Sequence, residues 1–220
     1  MDTARLRGAF AEALAFVLPV ECAGCSAADV SLCRTCLLQL HAAPSQQVID
    51  GLTVRSALIY DGAVARVIRA LKEDGRTSLA RPLGSALRDA AASWDLDGVI
   101  VVPVPTSSAA LRRRGYRVAE LLARRAGWHP HRCVRATRRT ADQRALGIGG
   151  RAANVAGSMR ARGVAGARIL IVDDVVTTGA TLRETARALR AAGAEVVGAV
   201  TVAATPRRIS RGRERRGPVT

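Results

Sequence analysis

A chain of 220 residues can bury one substantial hydrophobic core with room for a small appendage, and 49% apolar content suits a globular fold. The 34 basic side chains outnumber 18 acidic ones to leave a formal charge of +16, which points to anionic partners: nucleic acid, an acidic membrane surface or a pyrophosphate-bearing substrate. No apolar run reaches the roughly 18 residues that cross a bilayer, which excludes a transmembrane segment.

In chain order, Arg5 to Val20 opens basic and continues apolar, superficially like a secretory signal, but Glu12 interrupts it. Leu6, Phe10, Ala13, Leu14 and Val17 instead predict an amphipathic helix that ends before Pro19. Cys22-x-x-Cys25 is followed, after seven residues, by Cys33-x-x-Cys36. Two knuckles this close can turn four thiolates onto one tetrahedral metal, with Zn²⁺ the default. Two disulfides in an oxidising compartment, or an iron-sulfur cluster, would use the same residues. The segment is too short for a core of its own, so a metal would supply its folding energy, on the order of 10 kcal/mol.

Pro44 to Gly51 reads as a linker. Leu52 to Tyr60 then predicts a strand, and Val64, Val67, Ile68 and Leu71 predict a helix directly after it. Lys72, the single lysine in an arginine-rich chain, closes that helix. A surviving ammonium offers a compact point charge for phosphate, although arginine enrichment of the whole genome explains the composition as well. Ser78 to Trp94 predicts a second helix, with Leu79, Leu83 and Leu87 on one face. Val99 to Val102 is an apolar strand running into Pro103-Val104-Pro105, and then into Arg112-Arg113-Arg114-Gly115. Prolines stiffen a loop at the edge where parallel sheets bind ligands, and arginines beside it can fork onto a pyrophosphate. Cys133 stands alone and reads as a small buried residue. Arg135 to Asn154 lacks apolar periodicity and reads as a mobile polar loop, with Gln143, Arg144, Arg151 and Asn154 as candidate contacts.

Ile169 to Val172 is a continuous apolar run, expected as a strand buried on both faces. At its end stand Asp173 and Asp174, then Val175, Val176, Thr177, Thr178, Gly179, Ala180 and Thr181, then a helical pattern through Leu182, Ala186 and Leu189. Hydroxyls, a glycine and the first free amides of a helix suit an anion. Adjacent carboxylates do not; they suit sugar hydroxyls or the water around a hard cation such as Mg²⁺. A ligand with phosphate at one end and a diol at the other satisfies both halves. Glu195 to Ala203 predicts a last strand, and the chain closes on a tail with six arginines and one glutamate after Pro206, expected to be disordered.

The acidic pair and Thr-Thr-Gly-Ala-Thr loop closely resemble the phosphoribosyl pyrophosphate (PRPP) motif of type I phosphoribosyltransferases. The resemblance implies ribose contacts for Asp173 and Asp174 and a 5-phosphate site at Thr177 through Thr181. With the four cysteines, Tyr60 to Lys72, Val102-Pro103-Val104-Pro105, Arg114-Gly115-Tyr116, and Arg135, Thr140, Gln143, Arg151 and Asn154, the chain resembles the competence-protein ComF family from about residue 10 to 205. It departs where that family commonly carries Asn-Gln and this chain has Arg117-Val118.

The resemblance implies an α/β fold, a type I phosphoribosyltransferase-like, mostly parallel sheet flanked by helices, with a small amino-terminal zinc-binding module. The expected domains are 1–45 (helix and four-cysteine module), 46–206 (phosphoribosyltransferase-like) and 207–220 (basic tail). The ligands implied are structural Zn²⁺ and PRPP with Mg²⁺, in a cytoplasmic protein. Two readings stay open: a phosphoribosyltransferase with catalytic Asp173 and Asp174, or a non-enzymatic competence protein handling single-stranded DNA with protein partners, its PRPP pocket a sensor. Two each of Phe, Trp and Tyr leave few rings for stacking bases, which counts against a dedicated strand-binding platform.

Overall fold

The computed structural model describes residues 20–41, 44–137 and 157–206. The expected amino-terminal helix that ends before Pro19, the loop residues Thr140, Gln143, Arg144, Arg151 and Asn154, and the tail after Pro206 lie outside the described residues.

The main sheet has five strands: β1 (Ser45–Ile49), β2 (Leu52–Ile59), β3 (Val99–Pro103), β6 (Arg168–Val176) and β7 (Glu195–Ala204), in the order β1-β2-β7-β6-β3. All neighbours are parallel except β1, which pairs antiparallel with β2. A separate ribbon pairs β4 (Val134–Ala136) with β5 (Met159–Ala161), antiparallel. The interior strand β6 is what the apolar run demanded: Ile169, Leu170, Ile171 and Val172 are fully buried, because helices cover both faces of a parallel sheet.

One face packs on α2 (Gly62–Glu73), α3 (Ala80–Ala91) and α5 (Val118–Arg125) through Val67, Ile68, Leu71, Leu83, Leu87 and Leu122. The other packs on α6 (Ala180–Ala191) through Leu182, Ala186 and Leu189. Two short helices complete the set, α1 (Arg34–Leu38) and α4 (Ser108–Arg114). Truncating a fully buried leucine such as Leu170 to alanine would cost about 2–5 kcal/mol.

The structure corrects four local expectations. Pro44 to Gly51 is no linker: it carries β1 and the tight turn into β2, in which Asp50 and Gly51 both take positive φ (47° and 73°), as a type I′ hairpin turn requires. The second helix begins with a 3₁₀ turn, Thr77–Leu79, and its α-helical part stops at Ala91. Part of the stretch expected as a loop belongs to the ribbon, since Arg135 lies in β4. Strand β6 runs through Asp173 and Asp174 to Val176, held by continued pairing to β7, so the acids sit inside the strand's last residues and the loop starts at Thr177. Cys133 is buried, as expected.

Candidate functional site

Parallel pairing brings the carboxyl ends of β2, β3, β6 and β7 to one edge, with Val172 opposite Pro103 and Val176 opposite Ala204. Residues Thr177 to Gly179 cross from β6 to α6 at that edge. Gly179 takes φ 73° and caps α6 in the left-handed conformation, and the Thr178 hydroxyl accepts from the Ala180 amide at 3.4 Å. Thr177 and Thr178 are exposed while Gly179 and Ala180 are buried, so the hydroxyls face outward over the helix's amino terminus. This is the geometry of an anion cradle.

Beside the cradle the two acids behave differently. The Asp173 carboxylate accepts the Asp174 amide at 2.8 Å, and Asp174 accepts the Val175 amide at 2.7 Å. Burial lifts the Asp173 carboxyl well above the ordinary carboxylate range, and the adjacent Asp174 charge adds to the lift. Asp174 meets Lys72, whose Nζ lies 2.7 Å from its Oδ2. Burial pulls that ammonium down, but the Asp174 charge and hydrogen bond outweigh it and leave Lys72 raised.

Lys72 is placed from its own helix end. Tyr116 donates its hydroxyl to the Leu71 carbonyl, and Glu73 takes Arg114 at 2.8 Å and Arg113 at 3.4 Å, so the end of α2 is tied to the end of α4. Gly115 permits that turn with φ 77°. The Arg114 Nε is buried without a partner among the described residues. That guanidinium lies close enough to Lys72 for the two like charges to oppose each other, and an unpartnered nitrogen beside an ammonium suits an oxyanion.

Of the expected pyrophosphate-loop residues, Lys72, Arg114 and Gly115 therefore gather at one edge with Asp173 and Asp174. Pro103 ends β3, and the Val104 amide extends the pairing by donating to the Val172 carbonyl at 2.9 Å, so Pro103, Val104 and Pro105 lead out of the sheet at the same edge. Arg112 is exposed and bonded to no side chain among the described residues.

The four cysteines form a second centre. One Sγ from each of Cys22, Cys25, Cys33 and Cys36 lies within 4.8 Å of the others, and the Cys25 and Cys33 sulfurs are 3.6 Å apart. A disulfide would need about 2.05 Å, whereas a tetrahedral Zn²⁺ with bonds of about 2.3 Å spreads its sulfurs to such separations. Burial alone would raise Cys22, but backbone amides of Cys33, Gly24 and Cys25 outweigh it and hold the thiol at about 6. Burial and its neighbours push Cys36 the other way. A metal bound by all four sulfurs would hold each of them as a thiolate. The module is fastened to α2 and the turn after it: Arg66 donates to the Gly24 carbonyl at 2.6 Å, and Arg76 to those of Glu21 and Ser31, each at 2.7 Å.

Two carboxylates went unseen in the sequence because a lone Glu within a helix looks like a solvated side chain. Glu184 is buried on α6, accepts the Met159 amide at 2.9 Å and pairs with Arg187 at 2.7 Å, so it ties β5 to the helix that carries the anion cradle. Glu120, buried on α5, holds Arg132 at 2.6 Å and Arg124 at 3.0 Å.

Residues 99–218 match the family model of the phosphoribosyl transferase domain. The chain belongs to the phosphoribosyl transferase family. The matched span covers β3, β6, the anion cradle, α6 and β7, with the acidic pair in its second half. Orotate phosphoribosyltransferase of Bartonella tribocorum is 57% identical over 37 residues, 17% of this phosphoribosyl transferase chain and 19% of that protein. Competence protein F of Haemophilus influenzae is 32% identical over 130 residues, 54% of this chain and 57% of that protein. The chain thus spans less than two thirds of either relative. Among solved structures, UMP synthase of Leishmania donovani overlaps with a TM-score of 0.37 at 17% identity, over 61% of this chain and 24% of that one.

Proposed function

We propose that this phosphoribosyl transferase domain binds PRPP with Mg²⁺ at the carboxyl edge of its sheet and transfers the phosphoribosyl group to an acceptor. The observation that carries the reading is the Lys72 ammonium 2.7 Å from Asp174, beside an anion cradle and an unpartnered Arg114 Nε. Thr177 through Thr181 would hold the 5-phosphate. Asp173 and Asp174 would hold the ribose hydroxyls and the water shell of Mg²⁺, a hard cation that oxygen donors fit. Mg²⁺, when bound with the substrate, neutralises charge on the pyrophosphate.

The C1–oxygen bond to pyrophosphate breaks, and the pyrophosphate leaves with the bonding electrons. Positive charge grows on C1, and the acceptor's lone pair closes the new bond. Lys72 and Arg114 stabilise the departing oxyanion, and the carboxylates orient the diol while the fixed cradle holds the far phosphate. A screen of purine and pyrimidine bases with PRPP, following pyrophosphate release, tests the transfer; substrate binding without release from any base points to a sensor.

Similarity to Competence protein F supports the second reading, a non-enzymatic role in competence with single-stranded DNA and protein partners, the pocket serving as sensor. We propose structural Zn²⁺ at the four cysteines and a cytoplasmic setting, supported by the separate sulfur atoms, and a division of the chain at residues 45/46 and 206/207. No helix among the described residues is long and apolar enough to cross a membrane.

A further inference from the structure

The ribbon β4–β5 carries arginines that the PRPP reading does not use. In its antiparallel register Arg135 stands directly opposite Arg160, with Val134 opposite Ala161 and Ala136 opposite Met159. Directly opposed residues of an antiparallel pair have Cβ atoms about 5 Å apart, and like charges there are destabilising. Arg162 follows two positions after Arg160, so the strand alternation returns it to the same side. All three arginines are exposed, and no side chain among the described residues is bonded to any of them.

The same arginines line an open basin of about 490 Å³ together with His131, Arg132 and Thr137, and no carboxylate among the described residues lines it. Arg132 is already committed to Glu120 at 2.6 Å. The opposite side of the ribbon is fixed: Val134 and Met159 are buried in the second core, the Glu184 carboxylate takes the Met159 amide, and Arg187 donates to the Met159 carbonyl at 3.0 Å. A chain that holds like charges face to face on a rigid platform retains a cost that an anion would relieve.

We infer that the outward face of this ribbon is a binding surface for chained phosphates, in which Arg135 and Arg160 fork onto neighbouring phosphate groups and Arg162 extends the contact. Guanidinium groups make forked bonds to phosphate. Free oligophosphate and the backbone of a nucleic-acid strand present the same chemistry. Among the described residues the His131 imidazole is the one ring that lines the basin, set among four arginines, so the contact is chiefly with phosphates. The surface lies on a different sheet from the anion cradle and does not depend on the PRPP reading.

The test uses the full chain with a labelled thymidine 20-mer, followed by anisotropy across a salt series, and inorganic tripolyphosphate as competitor. Arg135→Gln with Arg160→Gln should weaken 20-mer binding about tenfold at low salt. It should also flatten the dependence of log affinity on log salt by about 1.4, or about 0.7 for each phosphate that is no longer neutralised. Relief of the opposed charges should leave thermal stability unchanged or raised, which separates weakened binding from a damaged fold. Displacement of the 20-mer by tripolyphosphate from the unmodified protein, but not from the double variant, assigns the surface to phosphate chains of either source; binding of the 20-mer without such displacement assigns it to the nucleic-acid strand. Unchanged affinity and slope in the double variant, or no binding of either probe to the unmodified protein, overturns the inference.

Discussion

A methyl group placed on Gly179 would lie 2.5 Å from Cδ1 of Ile49, so the edge hairpin and the phosphate loop are fitted against each other. Gly179 also holds φ 73°, where a side chain is strained. Gly179→Ala is expected to cost about 1–3 kcal/mol of stability, from backbone strain together with the steric overlap. Adding Ile49→Ala should recover the part due to the overlap, while the strain remains. Urea denaturation of the two variants measures both parts; an unchanged midpoint in Gly179→Ala would show that the loop is not fixed this way.

The meeting of Ile49 with Gly179 was beyond sequence reasoning because β1 was. Its residues Ser45-Gln46-Gln47 are polar and read as a linker, which masks the hairpin-turn chemistry of the Asp50-Gly51 pair. Strand β6 and helix α6 were legible because their signals are local: an apolar run, then apolar residues at helical spacing. The cysteine knuckles were legible for the same reason. Meeting points between distant segments leave no local trace. Lys72 drew notice only as the single lysine, and its partner Asp174 follows from the fold that sets α2 beside the end of β6. Strands β4 and β5 are too short for periodicity to register.

The Asp173 and Glu184 carboxylates should respond to pH with opposite signs. Asp173 is raised in the folded state by burial and by Asp174, so its favourable contribution is present below about pH 3.9 and is lost as pH rises through the folded value. Asp173→Asn should therefore match the unmodified protein near pH 4 and exceed its stability increasingly above that, while PRPP binding weakens. Glu184 is the reverse. Burial alone would raise it, but Arg187 and the Met159 amide prevail and hold it low, so its contribution is present above about pH 4.3 and is lost as pH falls through the folded value. Glu184→Ala, which strips the Met159 amide of its partner, should cost about 1–3 kcal/mol at neutral pH and progressively less in acid. Denaturation midpoints across pH 3 to 8 read both; an Asp173→Asn variant less stable than the parent at neutral pH would contradict the assignment.

Purified protein is expected to carry about one zinc per chain, because four sulfurs make one tetrahedral site. Elemental analysis decides, and iron in place of zinc, or four alkylatable thiols in metal-free folded protein, would contradict it. Cys33→Ser should loosen the module and its bonds to Arg66 and Arg76, leaving most of the sheet folded.

Calorimetric titration of the unmodified chain with PRPP, in the presence and absence of Mg²⁺, tests the proposed pocket most directly. The expected result is Mg²⁺-dependent binding at one site per chain, weakened about tenfold or more by Asp174→Asn or Thr178→Val, since each removes a bond to the charged or hydroxyl-bearing ligand. Absence of PRPP binding by the unmodified protein, with Mg²⁺ present and the fold intact, would contradict it.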